Sequence, residues 1–332
     1  MRICVVGAGS IGGLVAVRLA EAGEDVTVIA RGAHLAAIRE HGLELLTADG
    51  EHVARVRATD RAADAGPQDV VLLAVKAHQL APVAGEVGAL LGPGTVIVTA
   101  QNGVPWWYFL KHGGPYEGRR LETVDPGGVI ADALPVERVI GSIVYPAAEI
   151  AAPGVIRHVE GNRITVGELD GADTGRVRAL ADLLRRAGFK ARVAADLRSE
   201  LWVKLWGNST FNPISALTHA TLQDICRFPL TRALASDMMR EAQAVGEELG
   251  VRFGVSLERR IAGAEAVGAH KTSMLQDVES GRALEVDALV GAVVELGRVT
   301  GTPTPALAAV YACVSLLGET LRRTGGKLVI SR

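Results

Sequence analysis

Aromatic residues are scarce in this chain, and their distribution is uneven. The 332 residues include only 5 Phe, 4 Trp and 4 Tyr, and none of them precedes Trp106. Eight of these rings fall in two short windows, Trp106 to Tyr116 and Trp202 to Phe211. The first hundred residues must therefore build a core from small and β-branched side chains, and the two groups of rings need a separate explanation.

Cysteines, excess charge and long apolar runs are also scarce. The three cysteines, Cys4, Cys226 and Cys313, lie far apart in apolar surroundings, which predicts buried thiols in a reducing compartment rather than disulfides. A net charge of −2 excludes a generically basic nucleic-acid binder, and no His/Cys spacing indicates a metal site. No apolar run reaches the roughly 18 residues that a membrane span needs. The sequence favours a globular protein of the cytoplasm without nucleic-acid, metal or membrane partners.

The order of apolar segments predicts an α/β fold followed by a helical region. Apolar strands alternate with helical patterns early in the chain, which indicates a parallel sheet covered on both faces. The predicted strands are 2–6, 25–29, 70–75, 95–99, 138–145, 154–159, 162–167 and 190–194, and the predicted helices include 10–23 and 174–188. From about Leu197 onward the pattern is helical. We therefore expect two domains, 1–194 and 195–332.

A glycine-rich turn follows the first predicted strand. Gly7-Ala8-Gly9-Ser10-Ile11-Gly12 has the G-x-G-x-x-G spacing between a strand and a helix, where dinucleotide-binding proteins hold the pyrophosphate. Gly7 would allow the tight turn, Gly9 the close approach of the phosphates, and Gly12 the close packing of helix and strand. A tight turn without a ligand is the alternative, but the context favours a dinucleotide site.

The end of the second predicted strand bears on the choice of cofactor. An NAD-selective site usually has an acidic residue there for the ribose hydroxyls, whereas this chain has Arg31. An arginine can hold a 2′-phosphate, so the sequence favours NADP(H). A solvated surface arginine is the alternative.

Only six lysines occur in the chain, so each is a candidate for a specific role. Lys76 follows the apolar strand 70–75, at the end of the sheet where α/β proteins bind ligands, although a solubilising charge is an equal alternative. Lys204, Asn208 and Asn212 recur every four residues in an apolar segment, so they share one helical face. Burial of this ammonium would lower its pKa towards the range useful for proton transfer. An ion pair with Glu200 would explain the lysine but not the asparagines.

The same helical segment contains two tryptophans and a proline. Trp202 and Trp206 lie about 200° round the helix from Lys204, so we expect them to pack into the core. Pro213 lacks an amide hydrogen and is expected to kink or end the helix.

Together these motifs resemble the ketopantoate reductase (2-dehydropantoate 2-reductase) family almost from end to end. The segments that carry the resemblance are the glycine turn, Val75-Lys76-Ala77-His78-Gln79, Gln101-Asn102-Gly103, Glu200 to Leu217, Ser273-Met-Leu-Gln-Asp277 and Glu285-Val-Asp287. The resemblance implies an NADP-binding Rossmann-type domain, then an all-helical domain of the 6-phosphogluconate dehydrogenase-like type, with the active site between them.

The resemblance also implies roles for individual residues. Lys204 matches the lysine that protonates the keto oxygen, and Glu285 the glutamate that engages the substrate hydroxyl and the cofactor. The implied substrate-binding residues are Asn102, Asn208, Asn212 and Ser273. The implied cofactor-binding residues are Gly7, Ala8, Gly9, Ser10, Ile11, Gly12, Arg31, Lys76, Gln79, Asn102, Ala147 and Glu285. Without the resemblance, Ser273 would be interpreted as a helix cap and Glu285 as a surface carboxylate.

The function that follows is NADPH-dependent reduction of a small 2-keto acid, with 2-dehydropantoate to pantoate, a step of pantothenate biosynthesis, as the leading case. A bulkier or aromatic keto or hydroxy acid, and a non-catalytic NADP-binding sensor, stay open. The oligomeric state is also open, with a homodimer as one option. Residues 104–128 form a longer link than in simple family members, and no core role is evident for their rings. We therefore expect this link to influence substrate choice. Thr221-Leu222 stands where an asparagine is often found, which removes one polar contact and also leaves the exact substrate open.

Overall fold

The chain folds into two compact units. The computed structural model describes residues 1–327; residues 328–332, which fall in the predicted second domain, lie outside that range. The first unit comprises Met1–Gln101, Trp106–Arg120 and Asp125–Leu197. The second comprises Asn102–Pro105, Leu121–Val124 and the chain from Arg198 onward. Two short segments from the N-terminal half therefore belong to the second unit.

The first unit contains the strands. In chain order they are β1 Arg2–Val6, β2 Asp25–Ile29, β3 Leu43–Thr47, β4 Gly50–Ala54, β5 Arg57–Thr59, β6 Gln68–Leu73, β7 Leu91–Thr99, β8 Val139–Val144, β9 Ala147–Ala152, β10 Val155–Glu160, β11 Arg163–Glu168 and β12 Lys190–Val193. The α-helices of this unit are α1 Ser10–Glu21, α2 Gly32–His41, α3 Ala62–Ala65, α4 Ala81–Val87, α5 Val129–Ala133 and α6 Gly175–Arg186. Short 3₁₀ turns, among them Ala77–Gln79, connect some of these elements.

The main sheet has eight strands in the order β12-β11-β8-β7-β6-β1-β2-β5. Neighbours from β8 to β5 are parallel, whereas β11 pairs antiparallel with β8. The core of this unit lies between the sheet and its helices and is made of side chains such as Ile3, Val28 and Leu180. Small and β-branched residues thus fill the space that rings would otherwise occupy.

A second sheet, which the sequence did not predict as a separate layer, has the order β4-β3-β10-β9. It packs against α1, and a Cβ atom on Gly13 would lie only 2.6 Å from Ile156 Cγ1. Gly13 therefore allows the helix to lie close to this sheet. β4 and β9 were missed because most of their residues are exposed, and β3 was missed although Leu43 and Leu45 are buried, because it is only five residues long.

Four of the five rings between Trp106 and Tyr116 are part of the interior, so the expectation that they lacked a core role was wrong. Trp106, Trp107, Tyr108 and Phe109 are all buried. The indole of Trp107 fills the space left by the missing side chain of Gly141, and its Nε1 donates to Thr99 Oγ1 at 3.0 Å. Tyr108 and Phe109 meet edge to face, with ring centroids 5.0 Å apart. These four rings fill space in the core, which is a structural reason for their presence.

Every regular element after β12 in the described residues is helical, as predicted. These elements are α7 Leu197–Thr218, α8 Leu222–Arg227, α9 Pro229–Glu248, α10 Leu257–Ala266, α11 Ser273–Glu279, a π-helix Asp287–Gly291, α12 Ala292–Thr300 and α13 Pro305–Arg323. Helix α7 does not end at Pro213 but continues to Thr218. Phe211 and Ile214 are buried on either side of the proline, so packing outweighs the lost amide hydrogen bond.

Trp202 and Trp206 are fully buried, which confirms the prediction for the second group of rings. Trp206 Nε1 donates to the carbonyl oxygen of Met239 at 2.7 Å, and both indoles contact the ring of Phe253. These contacts fix the rotation of α7 about its axis. The other side of the helix carries Lys204 and Asn208, which are only partly buried.

The three cysteines are free thiols, and two of them are buried as predicted. Burial raises the pKa of Cys4 to about 12, so this thiol stays protonated. Cys313 is exposed, contrary to the prediction, because it lies on the outward side of α13. Within residues 1–327, no helix combines the length and the apolar character needed to cross a bilayer.

Candidate active site

The central strands of the first unit end level with one another. Val6 of β1 pairs with Ile29 of β2 and with Leu73 of β6, and Leu73 pairs with Thr99 of β7. The loops that follow these four strand ends contain the glycine turn, Arg31, Lys76 and Gln101. In α/β sheets, ligands bind outside the carboxyl ends of the strands. The topology therefore brings the glycine turn, Arg31 and Lys76 to one edge of the sheet.

The glycine turn has the shape that a pyrophosphate requires. Gly7 adopts φ +99°, and a Cβ atom there would lie 2.9 Å from the backbone nitrogen of Val75. A Cβ atom on Gly12 would overlap the carbonyl oxygen of Gly7, whereas nothing lies within 4 Å of the corresponding position at Gly9. Ser10 and Ile11 open α1, whose first amides have no intrahelical acceptor. The cradle thus fits the diphosphate of a dinucleotide.

Other predicted cofactor residues lie in the first unit. Arg31 is exposed and immediately precedes α2, next to the end of β2. Lys76 precedes the 3₁₀ turn Ala77–Gln79 and Gln79 ends it, and the Lys76 amide donates to Gln79 Oε1 at 3.3 Å. Ala147 opens β9, in the four-stranded sheet rather than the main one.

Gln101 has a structural role that the sequence did not indicate. Its side-chain Nε2 donates to the carbonyl oxygens of Leu73 and Val75, at 2.9 and 3.1 Å. The amide thereby ties the loop after β7 to the loop that carries Lys76. The next residue, Asn102, belongs to the second unit.

Lys204 and Asn102 are in direct contact within the second unit. Lys204 Nζ donates to Asn102 Oδ1 at 2.6 Å, although 102 residues separate them in the sequence. Lys204 is half-buried on α7, and Asn208 and Asn212 follow on the next two turns of that face. The neutral amide oxygen holds the ammonium in place without neutralising its charge.

Burial lowers the pKa of Lys204 to about 8, because the charged form loses solvation. The negative charge of Glu285 acts in the opposite direction and raises this pKa. An ammonium in this range is a much better proton donor near neutral pH than an exposed lysine. Lys204 therefore has the acidity that a general acid needs.

Asn212 and Ser273 also come together. Asn212 Nδ2 donates to Ser273 Oγ at 3.4 Å, which leaves the serine hydroxyl hydrogen available to another acceptor. Ser273 is the first residue of α11, but the cap of that helix is Thr272, whose hydroxyl accepts from the amide of Leu275. The interpretation of Ser273 as a helix cap was therefore wrong.

A π-helix that the sequence did not predict lies next to Glu285 and to the loop that carries Asn102. Glu285 lies two residues before Asp287–Gly291, and the carbonyl oxygen of Ala288 accepts from the amide of Val104 at 2.8 Å. Gly103 has φ +91° and would overlap that carbonyl if it carried a Cβ atom. Tyr311 holds the same turn, since its hydroxyl donates to Asp287 Oδ1 at 2.7 Å. One helical turn thus supports both Asn102 and Glu285.

Models of a single protein family match most of the chain. Residues 3–171 match the model "Ketopantoate reductase PanE/ApbA", and residues 196–318 match its C-terminal counterpart. The chain belongs to the ketopantoate reductase family. It is thus an oxidoreductase of the NAD(P)-dependent kind, and the predicted family and fold class are confirmed.

Individual ketopantoate reductases are similar over nearly the whole length. A protein of Mesorhizobium japonicum named 2-dehydropantoate 2-reductase is 56% identical, and the alignment covers 96% of this chain and 98% of that one. A Ralstonia solanacearum structure described as a ketopantoate reductase has a TM-score of 0.93 and 44% identity, with 97% and 98% of the two chains covered.

More distant structures share the fold. A D-mandelate dehydrogenase solved with NADH and anilino(oxo)acetate has a TM-score of 0.82, with 97% and 99% of the two chains covered. At 20% identity, this likeness concerns the fold alone. The architecture therefore also occurs in an enzyme named for an aromatic substrate.

Proposed function

We propose that this ketopantoate reductase reduces 2-dehydropantoate to pantoate with NADPH, and that Lys204 is the general acid. The observation that carries the proposal is the hydrogen bond of 2.6 Å between Lys204 Nζ and Asn102 Oδ1, on an ammonium whose pKa is about 8. The name of the 56% identical relative supports the choice of substrate. Residues 1–194 would act as the cofactor domain and residues 195–332 as the substrate domain.

The chemistry that Lys204 must support is the development of negative charge on a carbonyl oxygen. When bound, the reduced nicotinamide would supply a hydride to the carbonyl carbon. Lys204 stabilises the charge on the oxygen and transfers its proton there, which gives the alcohol. Asn102 keeps the ammonium in one orientation. Glu285 keeps more of the lysine protonated at neutral pH, since it raises the pKa of Lys204.

The carboxylate of the substrate requires neutral hydrogen-bond donors near Lys204. Ser273 and Asn212 form a donor pair, while Asn208 lies one turn from Lys204 on the same face. Because the Ser273 oxygen already accepts from Asn212, its hydroxyl hydrogen can be donated to a carboxylate oxygen. Glu285 would accept from the hydroxyl of the substrate.

The preference for NADPH is proposed from Arg31. This exposed side chain follows Ile29, whose strand β2 lies beside β1 and the glycine turn, where a 2′-phosphate would come within reach. Charge-assisted bonds from a guanidinium to a phosphate are strong, so Arg31→Ala should weaken NADPH binding about tenfold or more. Binding of NADH to the same variant is the control and should not change. An equal loss for both cofactors would contradict a 2′-phosphate contact.

Turnover of a panel of keto acids tests the substrate. The loss of reduced-nicotinamide absorbance is followed with 2-dehydropantoate, smaller 2-keto acids and aromatic 2-keto acids. We expect the highest kcat/KM with 2-dehydropantoate. A preference for aromatic 2-keto acids would show that 2-dehydropantoate is not the main substrate. Binding of NADPH without turnover of any acid would indicate a non-catalytic sensor.

A further inference from the structure

His34 connects the glycine turn to the second sheet. Its Nε2 lies 2.7 Å from the carbonyl oxygen of Ala8, and its Nδ1 lies 2.9 Å from the amide nitrogen of Gly154, in the turn between β9 and β10. All three residues belong to the first unit. One side chain thus contacts two backbone segments that are distant in sequence.

The two partners define the protonation state of the imidazole. The amide of Gly154 can only donate, so Nδ1 must be the unprotonated acceptor. The carbonyl oxygen of Ala8 can only accept, so Nε2 carries the hydrogen. The two contacts therefore favour the tautomer with its proton on Nε2, the nitrogen that faces the glycine turn.

The bond to Ala8 orients the amide of Gly9. The peptide between Ala8 and Gly9 is planar and trans, so the Gly9 N–H points away from the Ala8 carbonyl oxygen. Because that oxygen faces His34, the N–H faces the opposite side. A Cβ atom on Gly9 would meet no atom within 4 Å, so the residue borders open space at the start of α1.

The rest of the turn is held by other bonds. The amides of Gly7 and Ala8 both donate to the carbonyl oxygen of Ile29, at 3.1 and 3.2 Å. The carbonyl oxygen of Gly9 accepts from the amide of Gly13 at 2.7 Å, within α1. The bond from His34 fixes the peptide between these two anchored regions.

We infer that His34 is a positioning residue for the cofactor: it aims the Gly9 amide at the pyrophosphate without touching the dinucleotide itself. The inference rests on the proposed use of NADPH. His34 lies three residues after Arg31 on the same segment, so α2 and the residue before it would serve both the 2′-phosphate and the pyrophosphate. The diphosphate is common to NADP and NAD, so the effect of His34 should not discriminate between them.

Three substitutions separate the two bonds of His34. In His34→Gln the amide nitrogen takes the place of Nε2 and can still donate to Ala8, whereas in His34→Asn the amide oxygen takes the place of Nδ1 and can still accept from Gly154. His34→Ala removes both bonds. The exposed His41 ends the same helix, so His41→Ala is the matched control.

The Kd of NADPH and of NADH is measured for each variant by fluorescence of the reduced nicotinamide, without substrate. We expect His34→Gln and His41→Ala to bind like the wild type, and His34→Asn and His34→Ala to bind both cofactors about tenfold more weakly. The His41→Ala control should also keep the wild-type kcat and KM for the keto acid, whereas the His34→Asn and His34→Ala variants should show a raised KM for the cofactor.

The inference fails, while the proposed function stands, if His34→Ala has unchanged cofactor affinity, or if affinity is lost in His34→Gln but not in His34→Asn. Loss of affinity for NADPH with normal affinity for NADH would also overturn it, since the diphosphate is shared. A wild-type protein that binds neither dinucleotide would instead remove the proposed function, and the inference with it.

Discussion

Lys204 Nζ and Asn102 Oδ1 form a hydrogen bond of 2.6 Å that joins helix α7 to the loop after β7. The acceptor is a neutral amide, so the ammonium is oriented while its pKa stays at about 8. A carboxylate in the same place would have raised that pKa. An asparagine at this position therefore suits the proposed role of Lys204 as proton donor better than an ion-pair partner would.

Lys204→Ala should lower kcat by about 10²- to 10⁴-fold, because the proton donor and its charge are both removed. The Kd of NADPH, measured by fluorescence titration, should stay near the wild-type value. Lys271→Ala is the matched control, since Lys271 is an exposed lysine that pairs with Glu279. Turnover of the Lys204 variant at the wild-type rate would remove this residue from the mechanism.

The reduction should depend on pH through the same lysine. A general acid must be protonated, so kcat/KM is highest below the pKa of Lys204 and falls as the pH rises through about 8. Glu285→Gln removes a negative charge that raises this pKa, so the fall should move to lower pH. Glu279→Gln serves as the control and should leave the profile in place. A shift to higher pH in Glu285→Gln would contradict the assignment.

Gly103→Ala should displace the neighbouring Asn102 and lower both stability and activity. The new Cβ atom would overlap the Ala288 carbonyl oxygen, and φ +91° is strained for alanine. We expect a loss of about 1–3 kcal/mol of unfolding free energy in urea and a lower kcat/KM, because Asn102 is displaced. Gly23→Ala has a similar φ of +83° with no atom within 4 Å, so it controls for the backbone strain alone. Equal effects of both variants would exclude a specific role for the contact with Ala288.

Substitution of Trp107 should affect stability rather than substrate choice. Trp107→Phe loses the bond to Thr99 and should cost about 1–2 kcal/mol, and Trp107→Ala about 3–5 kcal/mol, in urea unfolding. The order of preference among keto acids should be unchanged in Trp107→Phe. A changed order in a variant of normal stability would restore the view that these rings select the substrate.

The elements that the sequence predicted are those with a strong local pattern. β1, β2, β6 and β7 are short apolar runs near glycines, and Lys204, Asn208 and Asn212 share a helical face through their spacing alone. The burial of Trp107 could not be predicted in this way, because the space it fills is made by Gly141, which lies more than thirty residues further along the chain.

The contacts that complete the candidate site are equally remote in sequence. Asn102 meets Lys204, Asn212 meets Ser273, and Ala288 accepts from Val104, and no periodic pattern links these pairs. The resemblance to the family singled out most of these residues, but the π-helix has no signature of its own. For Gly103 a local signal did exist, since an Asn-Gly dipeptide often adopts positive φ.

The chain alternates between the two units before it finally enters the second at Arg198. The amide of Val104 donates to the carbonyl oxygen of Ala288, and the amides of Glu122 and Thr123 donate to the carboxylate of Glu295. Short segments of the N-terminal half are therefore hydrogen-bonded to helices near the end of the chain. A gene fragment that stops at residue 197 would encode these pieces without their acceptors. The complementary fragment would encode Lys204 without Asn102. The second unit is therefore not a transferable module, and truncation or domain exchange at that junction should yield inactive products.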